Sequence, residues 1–211
     1  MFTVVGSKGN LGSLLMKIFP DSYGVDVDNE EKLFNYLKKS DYAFLAIPPD
    51  QEENIINKYK FFTGFIELSS VKLRFLKFKN SIISIHPLFG PRSYGKIKDI
   101  VFINDISPPD SMGKIQNIFP DYNIISLSAD KHDRLMSEIL VKPYIISMIS
   151  RPQNGSIKTS SYEKYLDLCS ISSQESKEIL YDTILMNKYT QNVIDEIQGG
   201  LDYIKNLIKN G

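Results

Sequence analysis

Several residue types are scarce in this chain, and each scarcity excludes a class of site. Its 211 residues contain a single cysteine, Cys169, so an intrachain disulfide and metal sites built on cysteine clusters are excluded. The 25 basic and 25 acidic residues balance, so no excess charge draws the chain to nucleic acid or to an anionic membrane. Arginine, the usual bidentate partner of a ligand carboxylate, is rare. It occurs only at Arg74, Arg92, Arg134 and Arg151.

Long apolar runs are absent as well. No run approaches the roughly 20 residues that a membrane-spanning helix needs. The chain opens on the strand-like residues 2–5, and no targeting segment is visible before them. We therefore expect a cytoplasmic protein. With 42% hydrophobic and 24% charged residues, its composition is typical of a globular protein that buries a core.

Short apolar runs alternate with longer amphipathic ones over residues 1–127. The runs that we predict as strands are residues 2–5, 23–27, 42–47, 64–68, 81–85, 100–104 and 122–127. Those that we predict as helices are residues 10–19, 30–39, 51–59, 73–78 and 111–119. Strands that alternate with helices predict a doubly wound, mostly parallel α/β sheet with both faces covered.

The pattern becomes helical after Ser128. Residues 129–150 predict a long apolar helix with a kink at Pro143, Asn154-Gly155 predicts a turn, and residues 162–207 have helical periodicity almost throughout. The sequence thus predicts two domains, an α/β domain at residues 1–127 and a small all-helical domain at residues 128–211. The apolar faces of the second domain need partner surface, which a second copy of the chain would supply. We therefore expect a homodimer.

A glycine-rich turn joins the first predicted strand to the first predicted helix. It consists of Gly6, Ser7, Lys8, Gly9, Asn10, Leu11 and Gly12. Gly6 permits the sharp turn, Gly9 lets the backbone approach a pyrophosphate, and Gly12 lets the helix pack closely on the strand. The helix N-terminus then presents unpaired N–H groups to the phosphates. Alone this signal is weak, because three glycines also fit a plain tight turn.

An acidic residue strengthens the prediction of a dinucleotide site. Asp26 ends the second predicted strand, 20 residues after Gly6, where a carboxylate holds the ribose hydroxyls of NAD and repels the 2′-phosphate of NADP. The alternative is that Asp26 or Asp28 merely caps the next helix. Strand, turn, helix and acid together predict a Rossmann-type fold that binds NAD. We add Ile47 and Pro48, at the end of the third predicted strand, to the expected cofactor contacts.

Ser70 and His86 follow two further predicted strands. In a doubly wound sheet, ligands bind at the carboxyl ends of the strands. Oxidation of an alcohol needs hydride transfer to a nicotinamide and loss of the hydroxyl proton, which a neutral imidazole is suited to accept. We predict His86 as the general base and Ser70 as the residue that orients the imidazole or the substrate hydroxyl. Lys72 is a weaker candidate, near the cofactor or an acidic group. The alternative is a strand-end His86 whose ring bonds to the backbone.

These segments resemble those of the prephenate/arogenate dehydrogenases. Residues 86–91, His-Pro-Leu-Phe-Gly-Pro, are similar to that family's His-Pro-Met-Phe-Gly-Pro segment, and residues 70–72 to its Ser-Val-Lys segment. Residues 129–134 resemble the His-Asp motif that opens its helical domain. The resemblance implies NAD-dependent oxidative decarboxylation of prephenate or arogenate in tyrosine biosynthesis, by a homodimer joined through the helical domain. It also implies that Lys72, His132 and Tyr144 contact the substrate; the alternative for His132 is a structural contact at the start of a helix.

The substrate end departs from the family's pattern. The Ser-His-Leu-Pro-His motif of the family matches residues 140–144, where Val141 and Tyr144 replace both histidines. No arginine follows Arg151 to grip a substrate carboxylate, and the matching segment offers Asp167, which would repel one. The cations that could take over, or be solvated surface charges, are Lys142, Lys164, Arg92 and Arg151. Two alternatives stay open: an NAD-dependent dehydrogenase of another small hydroxy acid, and a non-catalytic NAD-binding sensor.

Overall fold

The computed structural model describes residues 1–152 and 159–211. The turn expected at Asn154-Gly155 lies outside the described residues. The chain divides into two compact units, Met1–His132 and Asp133–Gly211. The domain boundary expected between residues 127 and 128 stays a prediction.

A seven-stranded sheet forms the centre of the first unit, all of whose residues are described. Its strands are β1 (Phe2–Val5), β2 (Tyr23–Val25), β3 (Tyr42–Leu45), β4 (Phe65–Glu67), β5 (Ile83–Pro87), β6 (Asp99–Ile103) and β7 (Asn123–Leu127). They lie in the order β2-β1-β3-β4-β5-β6-β7. The five strands β1 to β5 are parallel, β6 runs antiparallel to β5, and β7 is parallel to β6. The predicted doubly wound, mostly parallel α/β fold is confirmed.

Both faces of the sheet are buried, which is why its strands read as unbroken apolar runs. Val4 and Phe44 belong to the hydrophobic cluster on one face. Their chain neighbours Val5 and Leu45 belong to the cluster on the other face, as the two-residue alternation of a strand requires. The two edge strands are less buried: all residues of β7 are half-buried or exposed, and two of the three residues of β2 are half-buried.

Helices follow most of the strands. They are α1 (Asn10–Ile18), α2 (Leu33–Leu37), α3 (Pro49–Lys58), α4 (Ser111–Ile118) and α5 (Ala129–Met136), with 3₁₀ helices at Glu30–Lys32 and Leu73–Phe78. The second predicted strand proves shorter than expected. It ends at Val25 because the backbone N–H of Asp26 donates to Oδ1 of Asn29, which turns the chain. The third strand ends before Pro48 and Pro49, as predicted.

Helices make up the second unit as far as it is described. They are a π-helical segment (Ser137–Val141), α6 (Lys142–Ile149), α7 (Ser160–Ser170), a 3₁₀ turn (Ser172–Gln174), α8 (Lys177–Met186) and α9 (Thr190–Asn210). The irregularity expected at Pro143 occurs as the π-helical segment just before it. Pro143 has no N–H to donate, so the regular bonding of the preceding turn is interrupted there.

The long helical stretch predicted at residues 162–207 divides into three helices. Thr159 and Ser176 begin α7 and α8, because their side-chain oxygens accept from the N–H groups of Tyr162 and Ile179. A small core of Val141, Tyr144, Leu180 and Ile184 lies in this unit. No helix of the described ranges is long and apolar enough to span a membrane.

Candidate functional site

The glycine-rich turn is fixed against the ends of β2 and β3. Gly6 has a φ of 79°, and the N–H groups of Gly6 and Ser7 donate to the carbonyl of Val25 at 2.8 and 3.0 Å. A Cβ atom on Gly6 would lie 2.2 Å from the carbonyl oxygen of Ala46 and 2.7 Å from Cγ2 of Ile47. Only glycine fits this position, and the chain after β3 lies directly against the turn.

The turn leads into a helix whose first N–H groups are available. A Cβ atom on Gly12 would lie 1.9 Å from the carbonyl oxygen of Gly6, so α1 packs directly on the turn. Gly9 precedes α1 with extended backbone. The N–H groups of Asn10, Leu11 and Gly12 find no acceptor within the described residues. Such a set of N–H groups at a helix N-terminus attracts an anion.

Asp26 lies beside this turn. Its Oδ2 accepts from the backbone N–H of Lys8 at 2.8 Å, and its Oδ1 accepts from the N–H of Val27 at 2.9 Å. The ammonium of Lys8 forms an exposed ion pair with Asp28 at 2.6 Å. The alternative that Asp26 or Asp28 caps the next helix is wrong, because Asn29 occupies the cap position. Each oxygen of Asp26 keeps a lone pair that a ligand hydroxyl can use.

The sheet order makes a crevice at this point. The chain leaves β1 toward β2 on one side, while β3 lies on the other, and such a switch point is where ligands bind in doubly wound sheets. Ile47 and Pro48 connect β3 to α3 at the same edge. The structure therefore brings the turn, Asp26, Ile47 and Pro48 together.

A buried ion pair lies between the ends of β4 and β5. The ammonium of Lys72 donates to both carboxylate oxygens of Glu67, at 2.9 and 2.7 Å, and to the carbonyl of Ile85 at 2.7 Å. Ser84 donates to the same carboxylate at 2.6 Å. Neither charged side chain has any exposed surface. Lys72, expected as a substrate contact, is thus enclosed by protein groups, and the acidic group near it is Glu67.

A second buried carboxyl group belongs to α3. Glu52 is 1% exposed, and its Oε2 has no hydrogen-bond partner within the described residues. Burial, followed by the nearby charge of Glu67, raises the pKa of Glu52 well above its usual range, which favours the neutral form of this carboxyl group. Neither Glu52 nor Glu67 was predicted from the sequence as a site residue. Glu52 precedes Ile56 by one helical turn on the buried face, and that position was the available signal.

The two histidines of the chain are hydrogen-bonded to each other. Nδ1 of His86, on β5, lies 2.9 Å from Nε2 of His132, on α5, and the rings are inclined at 71°. His132 is fully buried, and His86 is 9% exposed. His132 was expected to contact the substrate; in the structure it contacts the predicted base. The alternative in which the ring of His86 bonds to the backbone is not what the structure has.

Both imidazoles are held in the neutral state. Burial and the charges of His132 and Lys72 lower the pKa of His86 well below its usual range. Burial and the charge of Lys72 lower the pKa of His132 to about 3. A buried cation costs free energy, and the ammonium of Lys72 repels a second positive charge nearby. Near pH 7, the hydrogen bond therefore joins two neutral rings.

Ser70 lies at the same sheet edge as His86. It follows β4 in the half-buried loop that precedes the 3₁₀ helix at Leu73–Phe78. β4 and β5 are neighbours in parallel, with Glu67 opposite Ser84, so their carboxyl ends emerge together. The first unit thus gathers at one edge the glycine-rich turn, Ser70 and His86.

The second unit contains one predicted substrate contact, Tyr144, within the stretch where both histidines of the family's motif are replaced. Val141 and Tyr144 belong to the small core of this unit. Lys142, considered as a substitute for the family's arginine, is bound by Glu138 and Glu196. Of the other cations considered, Lys164 is exposed, Arg151 donates to the carbonyls of Met148 and Ser150, and Arg92, in the first unit, is exposed. Asp167, which would repel a carboxylate, is also exposed.

Comparison with known proteins supports the fold but does not assign the chain to a family. No protein-family model matches the chain, and no curated protein does. A crystal structure of prephenate dehydrogenase from A. aeolicus, in complex with hydroxyphenyl propionate and NAD+, matches with a TM-score of 0.76 at 14% identity, covering 99% of this chain and 90% of that chain. Synechocystis arogenate dehydrogenase matches with a TM-score of 0.64 at 15% identity, covering 99% and 92%. The resemblance expected from the sequence is thereby confirmed for the fold.

Proposed function

We propose that the chain is an NAD-dependent dehydrogenase that oxidatively decarboxylates prephenate or arogenate, as in tyrosine biosynthesis, with His86 as general base. The observation that carries this proposal is the position of a neutral His86 at the sheet edge that also holds the glycine-rich turn. The ring of His86 makes its one hydrogen bond within the described residues through Nδ1, to His132. Its Nε2 is therefore the atom that an incoming hydroxyl would meet.

The residues at the switch point fit NAD. The N–H groups of Asn10, Leu11 and Gly12 would hold the pyrophosphate, and the carboxylate of Asp26 would accept from the ribose hydroxyls. A 2′-phosphate would lie against the charge of Asp26, so NAD is preferred to NADP. The preference can be tested by calorimetry with both nucleotides on the unmodified chain and on Asp26→Ser. Loss of the NAD preference in Asp26→Ser supports this role; equal affinity for both nucleotides in the unmodified chain contradicts it.

The proposed reaction divides between cofactor, substrate and base. NAD, held by the glycine-rich turn and Asp26, would supply the acceptor for a hydride from the ring carbon that carries the hydroxyl group. His86 would take the hydroxyl proton at Nε2, and Ser70 would orient the hydroxyl or the imidazole. The carboxylate leaves as carbon dioxide, its bonding electrons complete the aromatic ring, and the ring oxygen takes the proton back from His86 to give the phenol. The base needs to be neutral before the reaction, which the lowered pKa of His86 provides.

A second candidate is an NAD-dependent dehydrogenase of another small hydroxy acid. The observation that favours it lies in the second unit, where Val141 is buried and Lys142 is already bound by two glutamates. Neither residue offers a charge to a dianionic substrate. A non-catalytic NAD sensor is the third alternative, and a paired His86 and His132 at the strand end give it no support.

One experiment separates these candidates. NADH formation is followed with prephenate, with arogenate and with a panel of small hydroxy acids, using the unmodified chain and His86→Ala. Reduction with prephenate or arogenate supports the proposal, and reduction only with another acid supports the second candidate. His86→Ala is expected to bind NAD normally and to lower turnover by roughly 10²- to 10⁴-fold, the range for loss of a general base. If the chain binds NAD but turns over none of these acids, the result supports the non-catalytic NAD sensor.

We also propose a homodimer through the second unit. A stripe of apolar residues runs along α9 at alternating spacings of three and four, which is typical of a helix that pairs with another helix. The residues of this stripe are Ile194, Ile197, Leu201, Ile204 and Ile208. Leu201, Ile204 and Ile208 are 47%, 53% and 77% exposed, although each would gain from burial. The same stripe of a second copy has matching chemistry.

A further inference from the structure

The hydrogen bond between the two histidines ties their protonation states together. A bond at 2.9 Å between Nδ1 of His86 and Nε2 of His132 contains one proton when both rings are neutral. If that proton is on His86, Nε2 of His86 carries a lone pair. If it is on His132, Nε2 of His86 carries the second proton of the pair and cannot act as a base. The tautomer of His132 therefore decides what His86 can do.

We infer that His132 is the positioning residue of His86: it accepts the Nδ1–H of His86 at Nε2 and so holds the lone pair of His86 at Nε2. Only this arrangement lets the ring accept a proton from a ligand. The choice of tautomer and its catalytic consequence rest on the proposed function, whereas the hydrogen bond itself does not.

The acceptor is rigidly placed. His132 has no exposed surface, and its backbone N–H donates to the carbonyl of Ser128 at 2.9 Å. The start of its helix is fixed to the end of β6, because the N–H of Ala129 donates to Oδ1 of Asp105 at 2.8 Å. A ring held in this way restricts the rotation of its partner, and a restricted base keeps its reactive geometry.

The acceptor is also neutral, which distinguishes it from a carboxylate in the same position. When His86 takes a proton at Nε2, its Nδ1–H donates to His132 as a charged group, and that hydrogen bond strengthens. A carboxylate would stabilise the resulting imidazolium further and raise the pKa of His86. The titratable groups that act on His86 are His132, which is neutral near pH 7, and Lys72; burial of the ring and the ammonium of Lys72 disfavour a lasting positive charge there. His86 can therefore return the proton to the phenolate oxygen of the product.

The tautomer can be read directly, because these two histidines are the only ones in the chain. The untagged chain is labelled with ¹⁵N-histidine, and the ring nitrogens are assigned by NMR in the absence of substrate, with His86→Gln identifying the remaining ring. We expect a protonated Nδ1 and an unprotonated Nε2 on His86, with an unprotonated Nε2 on His132. A protonated Nε2 on His86 overturns the inference, whether or not the chain proves to be a dehydrogenase.

Kinetics then test the consequence. His132→Leu fills the space without an acceptor and is expected to lower kcat roughly 10- to 100-fold, the range for a group that orients a reactive ligand, with the KM for NAD little changed. His132→Gln keeps an acceptor near the same place and is expected to recover part of kcat. His132→Glu introduces a carboxylate, so the acidic limb of the pH profile should move to higher pH.

A merely structural role for His132 predicts a different result. His132→Leu and His132→Gln would then lose kcat equally or not at all, and the acidic limb would not move in His132→Glu. Circular dichroism of each variant shows whether it folds, and the NMR assignment of the unmodified chain does not depend on any variant that fails to fold. An unmodified chain that is inactive on every acid but shows the expected tautomer would refute the proposed function and keep the pairing.

Discussion

Both carboxylate oxygens of Glu67 bind the ammonium of Lys72, at 2.9 and 2.7 Å, and neither side chain reaches solvent. The pair lies beneath the sheet edge that holds His86, and its ammonium lowers the pKa of both histidines. The carboxylate of Glu67 thus holds the ammonium of Lys72 in a fixed position near the site. The stability of the first unit and the protonation of the proposed base depend on the same buried pair.

Lys72→Met is expected to destabilise the chain strongly. The change leaves the carboxylate of Glu67 buried without its partner, and breaking such a pair costs about 3–5 kcal/mol. The double variant Glu67→Gln, Lys72→Met removes both charges and should recover much of the loss. The free energy of unfolding in urea measures both effects. Lys114→Met is the control, because Lys114 pairs with Asp110 at the surface. A loss no larger than that of Lys114→Met would contradict a charged buried pair.

Glu52→Gln is expected to stabilise the chain increasingly as the pH rises. Burial raises the pKa of Glu52 well above its usual range, so its stabilising contribution is complete below the pKa of an unfolded glutamate, about 4.3, and is lost as the pH rises through the folded value. Gln stays neutral, so the free energy of unfolding of the variant, relative to that of the unmodified chain, should increase by at most about 1.4 kcal/mol per pH unit. Urea unfolding between pH 4.5 and 8 tests this, with the exposed Glu31→Gln as control. A pH-independent difference would contradict a raised pKa of Glu52.

Histidine burial is expected to make the chain less stable in acid. The pKa of His132 falls from about 6.5 in the unfolded chain to about 3 in the folded chain. Between these values the unfolded chain binds a proton that the folded chain does not, so the free energy of unfolding falls as the pH drops. Between pH 7.5 and pH 5, His132 alone is expected to lower the free energy of unfolding by about 2 kcal/mol. Urea unfolding at pH 7.5 and at pH 5 should show a smaller decrease in the free energy of unfolding for His132→Gln than for the unmodified chain. An equal decrease in the two proteins would mean that groups other than His132 cause the acid sensitivity.

Much of the first unit could be predicted from the sequence because its signals are local. Each strand is a short apolar run bounded by Gly, Pro or polar residues, and the turn at Gly6 is followed at once by helical spacing. The antiparallel direction of β6, in contrast, was not predicted from the sequence. The loop at residues 88–98 between β5 and β6 contains no helix to carry the chain back across the sheet, so β6 returns beside β5 in the opposite direction.

The parts of the site that the sequence analysis missed depend on long-range contacts. His86 and His132 are 46 residues apart, and no local pattern shows that α5 brings the second ring to the first. Glu67 and Lys72 are near in sequence, yet a charged residue in an apolar strand could equally end that strand at the surface. Their full burial follows from the packing of β4 and β5, which periodicity does not reveal.

Gly12→Ala is expected to disturb the proposed nucleotide site. The added Cβ atom would lie 1.9 Å from the carbonyl oxygen of Gly6, a backbone atom that cannot move without shifting the turn. Forced packing of this kind typically costs about 1–3 kcal/mol. Thermal unfolding and calorimetry with NAD should show lower stability and weaker binding. The control is Gly113→Ala on α4, where no atom lies within 4 Å of the new Cβ and alanine favours the helix. Equal behaviour of the two variants would contradict the close packing of α1.

The stripe along α9 predicts that Ile204→Glu separates the proposed dimer. Ile204 lies within the stripe and is 53% exposed in the single chain, so a glutamate there is tolerated by the folded chain but would be buried without a partner in a pair of helices. Light scattering coupled to size-exclusion chromatography should give the mass of a dimer for the unmodified chain and of a monomer for Ile204→Glu. Lys205→Glu is the control, because residue 205 lies beside the stripe on the same helix. A monomeric unmodified chain, or an Ile204→Glu variant that stays dimeric, would rule out this stripe as the interface.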